Sequence, residues 1–312
     1  MALTRIGIVF NPTKTTRGAL ETALAHAQDI EVSWYETTPE DNGQQATLRA
    51  LEDGATLICA AGGDGTIRAV VEFLADHQSS ADLGIIPFGT GNLLARNLGI
   101  PLNNPTAAFQ RALSGTARRI DIGWAEIEST SGYQRHAFAV MAGFGIDAHM
   151  INETNDELKE TAGWLAYVES VGRAVSASEL VNIKLRMSPS SGRTKKLRAH
   201  TLIIGNCGTL QSGFRLLPDA DPSDGELDIL VLRARNIRGW LDTIRNVVWD
   251  NGIKRVFTRH ASAHSSTSIT HRRATGFSIH LDEPRIFEID GDELGQTTHI
   301  NVTIQPGAIN VR

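Results

Sequence analysis

The sequence predicts an α/β unit followed by a mainly β unit. Residues 1–118 read as a three-layer domain on a parallel sheet, and residues 119–312 as an antiparallel, β-sandwich-like domain. Three observations carry this. Apolar runs alternate with helical stretches through the first part, the spacing of a parallel sheet covered by helices. Two glycine turns, Gly62-Gly63-Asp64-Gly65-Thr66 and Gly89-Thr90-Gly91-Asn92, each follow an apolar run, giving strand, tight turn and helix twice. Beyond Thr116, short β-like runs separated by turn residues take over.

Taken in order, Ile6–Phe10 is the first strand, followed by the loop Asn11-Pro12-Thr13-Lys14-Thr15 and an Ala-rich helix from Arg17 to Gln28. Glu31–Thr37 reads as strand and Gln44–Leu51 as helix. The run Thr56–Ala61 leads through the first glycine turn into a helix over Ile67–His77. Leu83–Pro87 leads through the second turn into a helix from about Asn92, and Pro105–Ser114 is a further helix. The second domain offers strands at Ile120–Ile127, His136–Met141, Val181–Met187, Leu197–Ile204, Glu226–Leu232, Ser278–Leu281, Arg285–Ile289 and Thr298–Ile304. Apolar residues at helical spacing predict helices over Leu158–Val175 and Ile237–Trp249. The Ser-, Thr-, His- and Arg-rich stretch Arg259–Thr275 reads as an exposed connection.

Composition narrows the function classes. A chain of 312 residues, 41% hydrophobic and 21% charged, holds two cores of ordinary size and is neither disordered nor fibrous. A net charge of −5 gives no support to nucleic-acid binding. Cys59 and Cys207, far apart in apolar runs, read as reduced buried thiols of a cytosolic protein. No apolar stretch approaches the ~20 residues of a membrane-spanning helix. The N-terminus has no basic start, apolar middle and small-residue cleavage site. The expectation is a cytoplasmic protein that meets a membrane only at its surface. His260, His264, His271 and His280 crowd one region without a zinc-ligand spacing.

The glycine turns carry the chemistry. Without side chains, backbone N–H groups approach an anion closely, and the helix that follows adds its positive end. Asp64 inside such a cradle would repel a phosphate unless a divalent cation or a donor lies between them, which points to a nucleotide site that works with Mg²⁺. Asn11 to Lys14 supply a third strand-to-loop junction, and such junctions line the carboxyl ends of a parallel sheet, where open α/β folds bind ligands. Neither a GxxxxGK[ST] loop nor a GxGxxG turn after the first strand is present, which sets aside P-loop enzymes and dinucleotide dehydrogenases.

The pair GGDGT and GTGN resembles the diacylglycerol kinase catalytic family, which includes bacterial lipid kinases and the sphingosine and ceramide kinases. The first turn is shared with NAD kinases; the second separates the lipid kinases. Further matches follow in the family's order at Ala142–Ala148, Gly163–Val168, Asp224-Gly225-Glu226-Leu227-Asp228 and Asp290-Gly291-Asp292, so the resemblance spans nearly the whole chain. It implies an ATP- and Mg²⁺-dependent lipid kinase, the alternatives being a soluble-substrate kinase of the NAD kinase type or a non-catalytic nucleotide- or lipid-binding relative. ATP would be contacted by Asn11, Pro12, Thr13, Lys14, Thr15, Thr37, Gly62, Gly63, Asp64, Gly65, Thr66, Ile67, Arg68 and Thr90, with Asp64 helping to hold Mg²⁺. Asp221, Asp224 and Glu226 match a second, structural metal position; the alternative is a solvated acidic turn. Asp292 would be the base that takes the proton of the lipid hydroxyl, with Asp290 organising the site. Here the chain departs from the family, whose usual residue at position 292 is glutamate.

The resemblance further implies a lipid substrate, diacylglycerol first, and transient contact with a membrane surface. Basic groups at Arg193, Lys195, Lys196 and Arg198, or at Arg233, Arg235 and Arg238, either meet anionic headgroups or are solvated charges. The helices around Trp164 and Trp240 are candidate groove walls, and an exposed sheet edge offers a route to a homodimer.

Overall fold

The computed structural model describes residues 4–25, 27–129, 132–145, 180–188, 194–210, 215–233 and 269–312. The expected helices at 158–175 and 237–249, and residues 259–268 of the expected connection, lie outside the described residues.

Strands β1 (Thr4–Phe10), β2 (Ile30–Glu36), β3 (Leu57–Gly62) and β4 (Asp82–Pro87) pair in parallel in the order β2-β1-β3-β4. β3 is buried along its whole length, which is why it reads as a continuous apolar run and not an alternating one. Between them run α1 (Arg17–Leu24), α2 (Gln44–Glu52) and α3 (Asp64–Asp76); α4 (Leu93–Asn97) and α5 (Pro105–Ser114) follow β4. The step from β1 to β2 runs opposite to the later steps. Right-handed crossovers therefore put α1 on one face and α2 with α3 on the other. α2 packs on α3 and on β1, while α5 packs on α1 and β4, completing three layers.

Thr16 caps α1, its Oγ1 accepting from the Ala19 N–H at 3.3 Å. The helix stops at Leu24 rather than at Gln28. The Ala25 and Ala27 N–H groups bond carbonyls three residues back, and Asp29 turns left-handed (φ 57°) to start β2. α3 begins at Asp64, three residues before the expected start, with Gly63 as its cap.

The β-rich part contains β5 (Arg118–Ser129), β6 (Gly132–Phe138), β7 (Met141–Phe144), β8 (Val181–Ser188), β9 (Lys195–Ala199), β10 (Thr201–Gly205), β11 (Leu227–Leu232), β12 (Ile269–Ala274), β13 (Gly276–Ile289) and β14 (Asp292–Val311). β12 falls within the stretch expected to be a connection: it pairs antiparallel with β11 from Ile269 opposite Leu232 to Ala274 opposite Leu227. The single strand expected over 136–141 is two, because the N–H groups of Ala139 and Val140 leave the ladder to bond the Asp290 carboxylate. Likewise 197–204 divides at His200, whose N–H turns to the Leu232 carbonyl. The two short strands expected between 278 and 289 are one strand, irregular between His280 and Arg285.

All fourteen described strands join in one sheet, β12-β11-β10-β7-β13-β14-β4-β3-β1-β2, with β5, β6, β8 and β9 paired off this path. β14 makes the join. It runs antiparallel to β13 and β5, then ends parallel to β4, with Asn310 and Val311 beside Asp82 and Leu83. One core gathers around Ile8, Phe10, Leu57, Leu83 and Phe109, and a second around Phe138, Leu202, Ile229, Phe277 and Phe287. A strand whose two ends serve different cores fixes where its first residue, Asp292, stands relative to the glycine turns.

Candidate active site

The two glycine turns are packed against each other. A Cβ on Gly89 would come within 2.8 Å of the Gly63 Cα, and one on Gly91 within 2.7 Å of an Asp64 carboxylate oxygen. Under the first turn, a Cβ on Gly62 would meet the Thr66 side chain at 2.8 Å. Only glycine allows this approach. The second turn is shaped by Asn92, which is buried and left-handed (φ 47°): its amide oxygen accepts from the Gly89 N–H at 2.9 Å and its Nδ2 donates to the Gly89 carbonyl at 2.6 Å.

Asp64 is the fastener between the turns. Its Oδ2 accepts from the Asn92 N–H at 2.8 Å and its Oδ1 from the Leu93 N–H at 2.7 Å. These are backbone donors of the second turn, so the carboxylate in the cradle is already faced by positive dipoles. Each oxygen keeps a further lone pair, because an ionised carboxylate accepts at about four positions. Asp64 therefore fits a Mg²⁺ ion that arrives with the nucleotide, as well as holding the turn.

The other residues expected at ATP divide into two kinds. Asn11 builds its loop as a turn, its Oδ1 accepting from the Thr13 N–H at 2.9 Å and the Thr13 hydroxyl at 2.7 Å, while its carbonyl accepts from the Lys14 and Thr15 N–H groups. Pro12, Thr13, Lys14 and Thr90 are exposed, and Gly63 and Gly65 are half-buried at the start of α3. Thr15, Thr37, Thr66 and Ile67 are buried. Thr37 donates its N–H to the Phe10 carbonyl, tying the end of β2 to the end of β1, and Ile67 belongs to the core.

Asp290 and Asp292 sit on the hairpin between β13 and β14. Ile289 pairs with Asp292 across a two-residue turn in which Asp290 (φ 48°) and Gly291 (φ 93°) are both left-handed, the Asp-Gly signature of a tight hairpin. The Asp290 carboxylate is sunk into the junction of β6 and β7. Its Oδ2 accepts from the Ala139 N–H at 2.7 Å, and its Oδ1 from the Val140 and Met141 N–H groups at 2.9 Å each. Burial pushes this carboxyl up to about 6, against the three N–H groups and the Arg68 charge, which pull it down. Asp290 thus anchors the hairpin.

Asp292 is joined to α3 by Arg68, whose Nε and Nη2 reach its Oδ2 at 3.1 and 2.8 Å. Arg68 also faces Glu72 at 3.6 Å. Burial works to raise Glu72, but hydrogen bonds from His136 and the Ala137 N–H, with the His136 and Arg68 charges, leave it below the usual carboxylate range. A cavity of about 90 Å³ opens beside the hairpin, lined by Leu93, Met141, Phe144, Ile203 and Leu216 with Asp290 and Gly291 in its wall.

The acidic loop differs from its expected form. Asp224 and Glu226 do converge, but on Arg273 of β12: its Nη2 bonds Asp224 and lies 3.2 Å from Glu226, and its Nε lies 3.5 Å from the buried Asp228. Asp221 turns away to Arg118 at 2.9 Å and to Ser223. Among the described residues no group of acids, histidines or cysteines forms a metal-ligand cluster. The Arg273 guanidinium occupies the charge-balancing position among these carboxylates. The loop is held instead by Asp121, whose carboxylate accepts from the Gly225 N–H at 2.7 Å and the Gly307 N–H at 2.6 Å.

Cys59 and Cys207 are free and buried, which pushes the Cys59 thiol up to about 12 and raises Cys207 likewise. Neither lines the site. No helix among the described residues is long and apolar enough to cross a membrane.

This geometry can be set beside known proteins. Residues 5–125 match the diacylglycerol kinase catalytic domain, and residues 140–312 the YegS C-terminal NAD kinase β-sandwich-like domain. The chain is 30% identical over 299 residues to a protein of Pseudomonas fluorescens named as a YegS-like lipid kinase, covering 95% of this chain and 89% of that one. It is 29% identical over 243 residues to a diacylglycerol kinase of Bacillus subtilis, covering 75% of each. A solved Bacillus anthracis diacylglycerol kinase shares the fold at a TM-score of 0.67 and 20% identity, over 99% of this chain and 96% of that one. Yeast NADH kinase shares it at 0.51 and 10%, over 100% and 83%. The chain belongs to the YegS-like lipid kinases of the diacylglycerol kinase catalytic family.

Proposed function

We propose that this kinase transfers the γ-phosphate of ATP to a lipid hydroxyl, with diacylglycerol as acceptor and phosphatidic acid as product. The observation that carries the reading is the Arg68–Asp292 bond. It sets a carboxylate from the β-rich part against the helix that begins at the first glycine turn. A base therefore stands where an acceptor hydroxyl would face nucleotide phosphates.

The reaction asks little covalent chemistry of the protein; positioning and charge stabilisation are the main work. The glycine turns and the start of α3 present N–H groups to the phosphates. Mg²⁺, held by Asp64, would neutralise phosphate charge. The acceptor oxygen attacks the γ-phosphorus in line, the bond from that phosphorus to the β–γ bridging oxygen breaks, and the hydroxyl proton passes to Asp292. The shorter side chain of Asp292 is met by the reach of Arg68. The apolar wall beside the Asp290 hairpin suits the hydrocarbon part of a lipid next to its hydroxyl. Residues Asn11–Thr15 and Thr37 follow the ends of β1 and β2 and would face the adenine of ATP.

Asp292→Asn tests this. Turnover should fall by about 10²- to 10⁴-fold, with ATP affinity nearly unchanged. Near-normal turnover would remove Asp292 as the base.

A further inference from the structure

Along α3, Asp64, Arg68 and Glu72 are spaced four residues apart and form one polar stripe on a helix whose other residues are largely core. Each member holds a different partner. Asp64 fastens the second glycine turn, Arg68 bonds Asp292, and Glu72 accepts from the Ala137 N–H on β6 at 2.8 Å.

Arg68 is held before it reaches Asp292. Its side chain is 15% exposed and that of Glu72 13%, and Glu72 is itself fixed by Ala137 and by Gln44 at 2.9 Å. The guanidinium is thus preorganised from the helix side. Asp292, by contrast, is 49% exposed at the first position of a strand and has no other anchor for its carboxylate among the described residues. Both arginine nitrogens fork onto the same oxygen, Oδ2. Among the described residues no donor reaches Oδ1.

We infer that Arg68 is a positioning residue for Asp292: it pins one carboxylate oxygen and leaves the other aimed as the proton acceptor. The inference rests on Asp292 being the base. It gives Arg68 a task other than contacting phosphate, and it makes α3 the element that aligns both halves of the reaction. A carboxylate free to rotate would spend much of its time out of line, and misplacement of about 1 Å costs on the order of 10²-fold in rate.

A double-mutant cycle of Arg68→Gln and Asp292→Asn tests this, with dioleoylglycerol in mixed micelles as acceptor and labelled ATP as donor. Arg68→Gln should lower kcat by about 10- to 10²-fold and leave the KM for ATP within about threefold. In the Asp292→Asn background it should cost nothing further, because the group it positions is gone. Methylguanidinium should restore part of the turnover of Arg68→Ala and none of the double variant. Arg68→Lys, which keeps the charge without the fork, should fall between. If the two losses multiply, or if KM for ATP rises tenfold with kcat retained, Arg68 serves the phosphates and the positioning role is overturned. The two failures separate cleanly. A fully active Asp292→Asn removes the base assignment, whereas an inactive one with multiplying losses removes only the clamp.

Discussion

The Asp64→Asn variant probes the cradle most sharply, because Asp64 has a structural task that does not depend on any ligand. Its two oxygens accept the N–H groups of Asn92 and Leu93 at 2.8 and 2.7 Å. An asparagine keeps one acceptor and turns an NH₂ group toward the other N–H, leaving that donor unpaired. Two charge-assisted bonds become one neutral bond and one buried, unsatisfied donor. The expected cost is about 2–4 kcal/mol. For a chain of this size that is a fall in melting temperature of about 4–8 °C, at about 2 °C per kcal/mol. The assay is thermal unfolding of nucleotide-free protein in EDTA, followed by calorimetric titration with ATP and Mg²⁺. Affinity for ATP should weaken by about tenfold or more, as the second turn loosens. A residue that served only as a metal ligand would leave the EDTA melting curve unmoved. A variant that melts within 1 °C of the parent, in EDTA, refutes the fastening role.

Two further outcomes follow from the site. Burial pushes the Asp290 carboxyl up to about 6 in the folded chain, above the ordinary ~3.9 of an unfolded one. The folded state therefore binds this proton more readily. The stability it contributes is complete below about pH 4 and is lost as pH rises through 6. Denaturant unfolding should show the parent losing about 1–3 kcal/mol of stability relative to Asp290→Asn between pH 4 and 7.5; a difference constant with pH would contradict the assignment. At the acidic loop, Arg273 supplies the positive charge for Asp224, Glu226 and Asp228. Nucleotide-free protein should thus melt alike in MgCl₂ and EDTA, while Arg273→Ala should melt about 2–4 °C lower and recover on adding Mg²⁺. Stabilisation of the parent by Mg²⁺ that Asp224→Asn abolishes would restore the metal to that loop.

Much of this architecture is legible in the residue order, for local reasons. The glycine turns announce themselves because close backbone approach excludes every side chain, and the Asp290-Gly291 hairpin because two successive left-handed residues favour that pair. The partners are not legible. Arg68 and Asp292 lie 224 positions apart and meet only because β14 begins at the hairpin and ends beside β4. Arg273 reaches the acidic loop because β12 pairs with β11, within a segment whose polarity hides the strand. Asp121 and Asn206 carry no motif, yet both are buried and hold loops around the site through backbone groups. The strand breaks at 139–140 and at His200 have the same origin: distant carboxylate and carbonyl groups take backbone donors that periodicity assigns to a ladder. The stripe Asp64, Arg68, Glu72 is the one long-range feature with a local trace, its spacing of four.

Transfer of phosphate from ATP to a lipid hydroxyl can be read out directly with a lipid panel. Purified protein with labelled ATP and Mg²⁺ would be offered diacylglycerol, a sphingoid base, ceramide, a glycolipid and NAD in parallel. Products would be partitioned between organic and aqueous phases and identified by mass spectrometry. Label should enter the organic phase, greatest with diacylglycerol as phosphatidic acid, at least about 10²-fold lower for Asp292→Asn, and none should appear on NAD. Label on NAD alone, or ATP binding with no transfer to any lipid, would contradict it.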